Sequence, residues 1–75
     1  MARSIKGFKI DWDGDACARA ERETAPKHRY LFEVSADRQR IVGLIDTSDP
    51  DEDARLEQEA GQAVEEFLRQ EREGE

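Results

Sequence analysis

Asp11, Asp13 and Asp15 stand at alternate positions around Trp12 and Gly14, the spacing with which a calcium-binding loop can begin. The remainder of such a loop is missing. Counting from Asp11, the position that requires glycine is Ala16, and the position that requires a bidentate acid is Arg22. A solvated acidic turn is the expectation. Cys17 and His28 are the only thiol and the only imidazole, too few ligands for a structural zinc set. They form a nucleophile and base only if the fold joins them, with Asp11 or Asp13 to orient the ring. The five glycines are scattered without P-loop or dinucleotide spacing, and in so acidic a chain neighbouring carboxylates are expected by chance. No catalytic apparatus, metal site or cofactor site follows from these residues, and an enzyme is not expected.

Charge says more. Residues 49–75 carry eleven acids against Arg55, Arg69 and Arg72, while residues 1–48 are close to neutral, and the 75-residue chain has a net charge of −7. Asp51, Glu65 and Glu66 are the candidate acidic binding face, able in principle to imitate a nucleic-acid backbone before a basic groove on another protein. Lys27, His28 and Arg29 precede a predicted hairpin, and Arg38 and Arg40 flank its loop, so these five form a candidate basic patch with Tyr30 or Trp12 nearby for stacking. The overall negative charge opposes phosphate binding, and direct nucleic-acid binding is not the expectation.

Seventy-five residues allow one domain, here 1–75 with an ordered core over about 5–70 and frayed ends at 1–4 and beyond 70. At this size a core supplies roughly 3–5 kcal/mol of net stability. One cysteine excludes an internal disulfide. With no apolar signal segment near Met1 and no membrane-length apolar run, the expected compartment is the cytoplasm, and the Arg-, Ala- and acid-rich composition suits a prokaryotic source.

The elements that must position these side chains are read from periodicity. Phe8, Ile10 and Trp12 alternate with Lys9, Asp11 and Asp13 as a strand with one buried face, ended by Asp13-Gly14. Residues 16–25 read as a short helix capped by Asp15 and stopped by Pro26. The competing reading is a hairpin at Asp13-Gly14 with Ala16, Ala18 and Ala20 facing inward on a strand, but Ala, Glu and Arg are weak strand formers. Tyr30–Ser35 and Arg40–Asp46 form a hairpin in which Tyr30, Phe32 and Val34 share a face with Ile41 and Ile45.

Leu31, Val42 and Leu44 then fall on the opposite face, a surplus of apolar groups that makes them the candidate interface. The C-terminal helix spans about 49–70. Asp49 is its predicted cap, Pro50 its first residue and Glu52 the third-position acid of a capping box. Leu56, Ala60, Ala63, Val64, Phe67 and Leu68 form its apolar stripe; Asp51 with Arg55 and Glu65 with Arg69 can pair outside. Gly61 interrupts this helix at a cost of about 1 kcal/mol relative to alanine, for which a close backbone approach is the expected reason.

The expected fold is therefore α+β: a three-stranded antiparallel sheet in the order β-α-β-β-α, with the long C-terminal amphipathic helix across one face. The expected role is a small acidic protein-binding adaptor or regulatory module, with a protein partner or self-association as a homodimer through the second sheet face or the hairpin edge. Alternatives are an acidic inhibitor acting through the helix, and then a hairpin that binds nucleic acid. No motif marks a reaction or a ligand.

Overall fold

Lys6 and Gly7 both have positive φ, 52° and 83°, and form the two-residue link between strands β1 (Arg3–Ile5) and β2 (Phe8–Trp12). A mirror-image turn of this kind matches the right-handed twist of an antiparallel pair. Gly14 has φ 108° in the next turn, where Asp13 N–H donates to the Cys17 carbonyl at 2.7 Å. The chain then continues as β3 (Cys17–Arg22), β4 (Arg29–Val34), β5 (Ile41–Thr47) and helix α1 (Ala54–Glu73). This computed structural model describes residues 2–73, and Met1, Gly74 and Glu75 lie outside it.

The five strands form one antiparallel sheet in sequential order, β1-β2-β3-β4-β5. The expected three-stranded sheet and the helix over 16–25 are thus both corrected. Two strands had weak local signals: Arg3–Ile5 has only three residues, and Cys17–Arg22 contains two alanines among charged groups. Tertiary pairing overrides the low strand propensity of that second segment. It is the middle strand of the sheet, with Ala20 between Ile10 and Tyr30 and Ala18 between Trp12 and Phe32. Both alanines are fully buried beneath α1. Small residues on the central strand leave room for a helix to approach, and two flanking ladders satisfy its backbone.

The predicted apolar stripe does dock on the predicted sheet face. Ala60, Ala63, Val64, Phe67 and Leu68 are buried against Phe8, Ile10, Tyr30 and Phe32, with Leu56 and Trp12 partly buried at the margin. Trp12 packs on Phe67 with ring centroids 5.3 Å apart and donates from Nε1 to Glu71 at 3.2 Å. Glu71 also accepts from Arg3 at 2.8 and 3.1 Å, so the helix end is tied to both β1 and β2. These bonds, Trp12 foremost and then Arg3, hold the Glu71 carboxyl below its ordinary range. Arg3 and Ser4 belong to β1, and the helix runs past Gln70 to Glu73.

The helix begins later than its predicted cap and first-turn acids imply. Glu52 has φ 49°, which breaks helical geometry, so the predicted Asp49 and Glu52 capping box does not form. Asp53 caps instead, accepting from the backbone N–H of Arg55 and Leu56. Asp51 lies outside the helix, and Arg69 pairs with Glu66 rather than Glu65. A Cβ on Gly61 would meet the Phe32 ring at 3.8 and 3.9 Å, ordinary contact, so no close backbone approach demands glycine there.

Candidate interaction edge

Strand β5 has one side on β4 and the other open at the sheet edge. Its register with β4 slips twice. Leu31 pairs with Asp46 and Phe32 with Leu44, leaving Ile45 as an extra residue; Glu33 pairs with Gly43 and Val34 with Ile41, leaving Val42 as another. Each slip is a β-bulge, and each one shifts which side chains face the helix. The alternation expected of this strand therefore fails. Leu44 stands opposite core residue Phe32, not on the far face, while Ile45, expected in the core, is exposed.

The candidate interface of Leu31, Val42 and Leu44 is consequently not one patch on the second face. Leu31 is half-buried on β4, next to Arg19 and Asp46 in the cross-strand register. That second face is charged, with Lys9 opposite Glu21, Glu21 opposite Arg29, and Asp11 opposite Arg19. Opposite charges at directly paired positions are the mark of a solvated sheet face. Among the described residues, the exposed large apolar ones instead collect on the edge: Val42 is 61% exposed, Ile45 55% and Leu44 38%. Natural edges are commonly blunted with charge or proline, yet Ile41–Ile45 contains neither. Bulges also blunt edges, but here the residues they release outward are apolar.

The other candidates are dispersed. Cys17 opens β3, whereas His28 lies beyond its far end, where Arg22 N–H donates to the His28 carbonyl at 3.0 Å. The length of β3 puts roughly 16 Å between them. Burial pushes the Cys17 thiol up, and Asp13 and Glu33 add to that effect, so the thiolate is disfavoured at neutral pH.

The basic residues divide between the two ends of the β4–β5 hairpin: Lys27, His28 and Arg29 at one, Arg38 and Arg40 at the other, roughly 17 Å away along β4. Arg38 sits 4.5 Å over the Trp12 ring and donates to the Asp15 carbonyl at 2.9 Å. Among the acids, Asp51 precedes the helix, and roughly 16 Å of helix separates Ala54 from Glu65. Glu65 and Glu66 line a shallow groove with Lys6, Arg40, Arg69 and Arg72, a mixed surface rather than an acidic one.

One polar cluster escaped the sequence reading. Asp49, buried behind the end of β5, accepts the Tyr30 hydroxyl at 2.6 Å and the Asp53 N–H at 2.9 Å on Oδ2, and the Asp51 N–H at 2.9 Å on Oδ1. His28 Nδ1 is buried 3.1 Å from Oδ1, an ion-pair approach without hydrogen-bond alignment. The Tyr30 bond and these N–H groups hold the Asp49 carboxyl below its ordinary range, while burial and the Asp49 carboxylate push the Tyr30 phenol up.

Among the described residues, His28, Asp49 and Asp51 alone bring three metal-type donors within 4.8 Å of one another; Asp11, Asp13 and Asp15 do not converge. Both Asp49 oxygens already serve as acceptors for the 48–53 turn, so a cation there would compete with the bonds that shape it. Its chemistry is structural. Nothing local in the sequence signals it, because Tyr30 and Asp49 meet only through the fold. No protein-family model, curated protein or solved structure matches this chain, and no helix among the described residues is long and apolar enough to cross a membrane.

Proposed function

We propose that this chain is a small protein-binding module whose working surface is the β5 edge. The observation that carries this reading is the coincidence of an open strand edge with Val42, Leu44 and Ile45, the exposed large apolar side chains among the described residues, in a chain otherwise rich in charge. Strand addition supplies backbone hydrogen bonds for affinity, and flanking apolar side chains supply selectivity. Binding rather than catalysis is favoured because the single thiol and the single imidazole lie far apart. A single cysteine suits a reducing compartment, the cytoplasm.

The test is affinity capture with the full chain and with a Val42→Lys/Ile45→Lys variant, each with and without nuclease. The reading expects a protein retained by the parent chain after nuclease treatment and lost by the folded variant. A partner held equally by both would move the working surface elsewhere; recovery that depends on nucleic acid would transfer attention to Arg38 and Arg40.

A further inference from the structure

Asp13-Gly14 is the single Asp-Gly pair of the chain, which contains no asparagine. It lies in the exposed turn between β2 and β3, on the far side of β4 from the β5 edge. Such a pair sets an electrophile beside a nucleophile: the Asp13 carboxyl carbon Cγ and the Gly14 amide nitrogen can close a five-membered ring. Gly14 has no Cβ to shield its nitrogen. The turn also leaves the reacting groups unengaged. Among the described residues, no hydrogen bond or ion pair holds the Asp13 carboxylate or the Gly14 N–H, while the turn itself is closed by the Asp13 N–H donating to the Cys17 carbonyl at 2.7 Å. Nothing lies within 4 Å of where a Cβ on Gly14 would stand, so the ring and the water that opens it have room.

The fold withholds these conditions from the other aspartates. Asp37, Asp49 and Asp53 hold backbone N–H groups on their carboxylates, and Asp49 precedes Pro50, which has no N–H to lose. Asp11 and Asp46 precede Trp12 and Thr47 within paired strands. Asp15 and Asp51 are followed by Ala16 and Glu52, whose Cβ atoms stand beside the attacking nitrogen.

From this contrast we infer that Asp13 is a site of spontaneous covalent modification, converting to isoaspartate through a cyclic imide formed with Gly14. The Gly14 nitrogen bonds to Cγ of the protonated Asp13 carboxyl, whose hydroxyl leaves as water with the amide proton. A second water then opens the ring. Cleavage between nitrogen and Cγ restores aspartate, whereas cleavage between nitrogen and the Asp13 backbone carbonyl carbon leaves the chain running through Cβ and Cγ, with a free carboxylate on Cα. One water is lost and one regained, so mass and charge end unchanged and no co-reactant is needed. The product has one more backbone atom in the turn. That insertion displaces Asp15, whose carbonyl accepts from Arg38 at 2.9 Å and so seats Arg38 4.5 Å over the Trp12 ring.

The experiment is incubation of the full chain at neutral pH and physiological temperature for several weeks, folded and in guanidinium chloride, followed by trypsin digestion and electron-transfer fragmentation of the Ile10–Arg19 peptide. That peptide contains Asp11, Asp13 and Asp15 and so carries its own controls. Isoaspartate is expected to accumulate at Asp13 alone, through a species lighter by one water, at a rate in the folded chain within severalfold of the unfolded one. The isomerised chain, separated by chromatography, is expected to melt below the parent. Formation of isoaspartate only in guanidinium chloride would show that the turn protects Asp13 and would overturn the inference. So would equal formation at Asp11 or Asp15, or none at Asp13 in either condition. An isomer that melts with the parent would overturn the link from Asp13 to the Arg38 contact.

Discussion

Replacing Gly61 with alanine should stabilise this protein, and the size of the gain can be worked from the helix and its neighbour. The helical propensity difference is about 0.8–1.0 kcal/mol. The new methyl would lie 3.8 and 3.9 Å from two atoms of the Phe32 ring, within van der Waals range and without overlap. Those contacts and the partial removal of the methyl from water contribute a few tenths of a kcal/mol. A total near 1 kcal/mol corresponds to a rise in Tm of roughly 4–8 °C for a domain of this size.

The assay is thermal unfolding followed by helical circular dichroism and by the fluorescence of Trp12, the single tryptophan. Coincident curves from the two probes establish that one transition is being compared. Gly7→Ala is the internal contrast: Gly7 has φ 83° and open space around it, so only backbone strain acts, and a loss of about 1 kcal/mol is expected. An unchanged or lowered Tm for Gly61→Ala would show that the helix approaches the sheet more closely than the Phe32 distances state, and would refute the argument.

Phe67→Ala should unfold most of the population near room temperature. Phe67 is fully buried, and its truncation costs about 3–5 kcal/mol, comparable to the whole stability of roughly 3–5 kcal/mol available at this size; loss of the helical circular dichroism signal checks it. Val42→Lys/Ile45→Lys should leave urea stability within about 0.5 kcal/mol per substitution, whereas Leu44→Glu, opposite Phe32, should cost about 1 kcal/mol or more. A strongly unfolded double lysine variant would place the edge in the core.

For Asp49 the folded carboxyl lies below its unfolded value, so its contribution is present above about pH 4 and lost as pH falls through the folded value. Urea midpoints measured from about pH 5 down to about pH 2 should therefore fall less steeply for Asp49→Asn than for the parent chain. Equal slopes would deny Asp49 that role.

What the sequence determines here is whatever repeats within a few residues. The stripe from Leu56 to Leu68 and the alternation of Phe8, Ile10 and Trp12 are local periodicities, and a single amphipathic face suffices to name the element and its buried side. Tertiary structure decided what depends on neighbours. Ala18 and Ala20 lie in a strand because both flanks are paired and a helix covers them, a context no window of their own sequence contains. The cap moved from Asp49 to Asp53 because Glu52 leaves helical geometry, while Asp49 is engaged by Tyr30, distant in sequence. The same is true of the candidate site. The uncharged run Ile41–Ile45 is visible in the chain, but the side chains it exposes follow from two bulges. Because strand side chains alternate with a period of two, each single-residue slip against β4 changes which of them reach water.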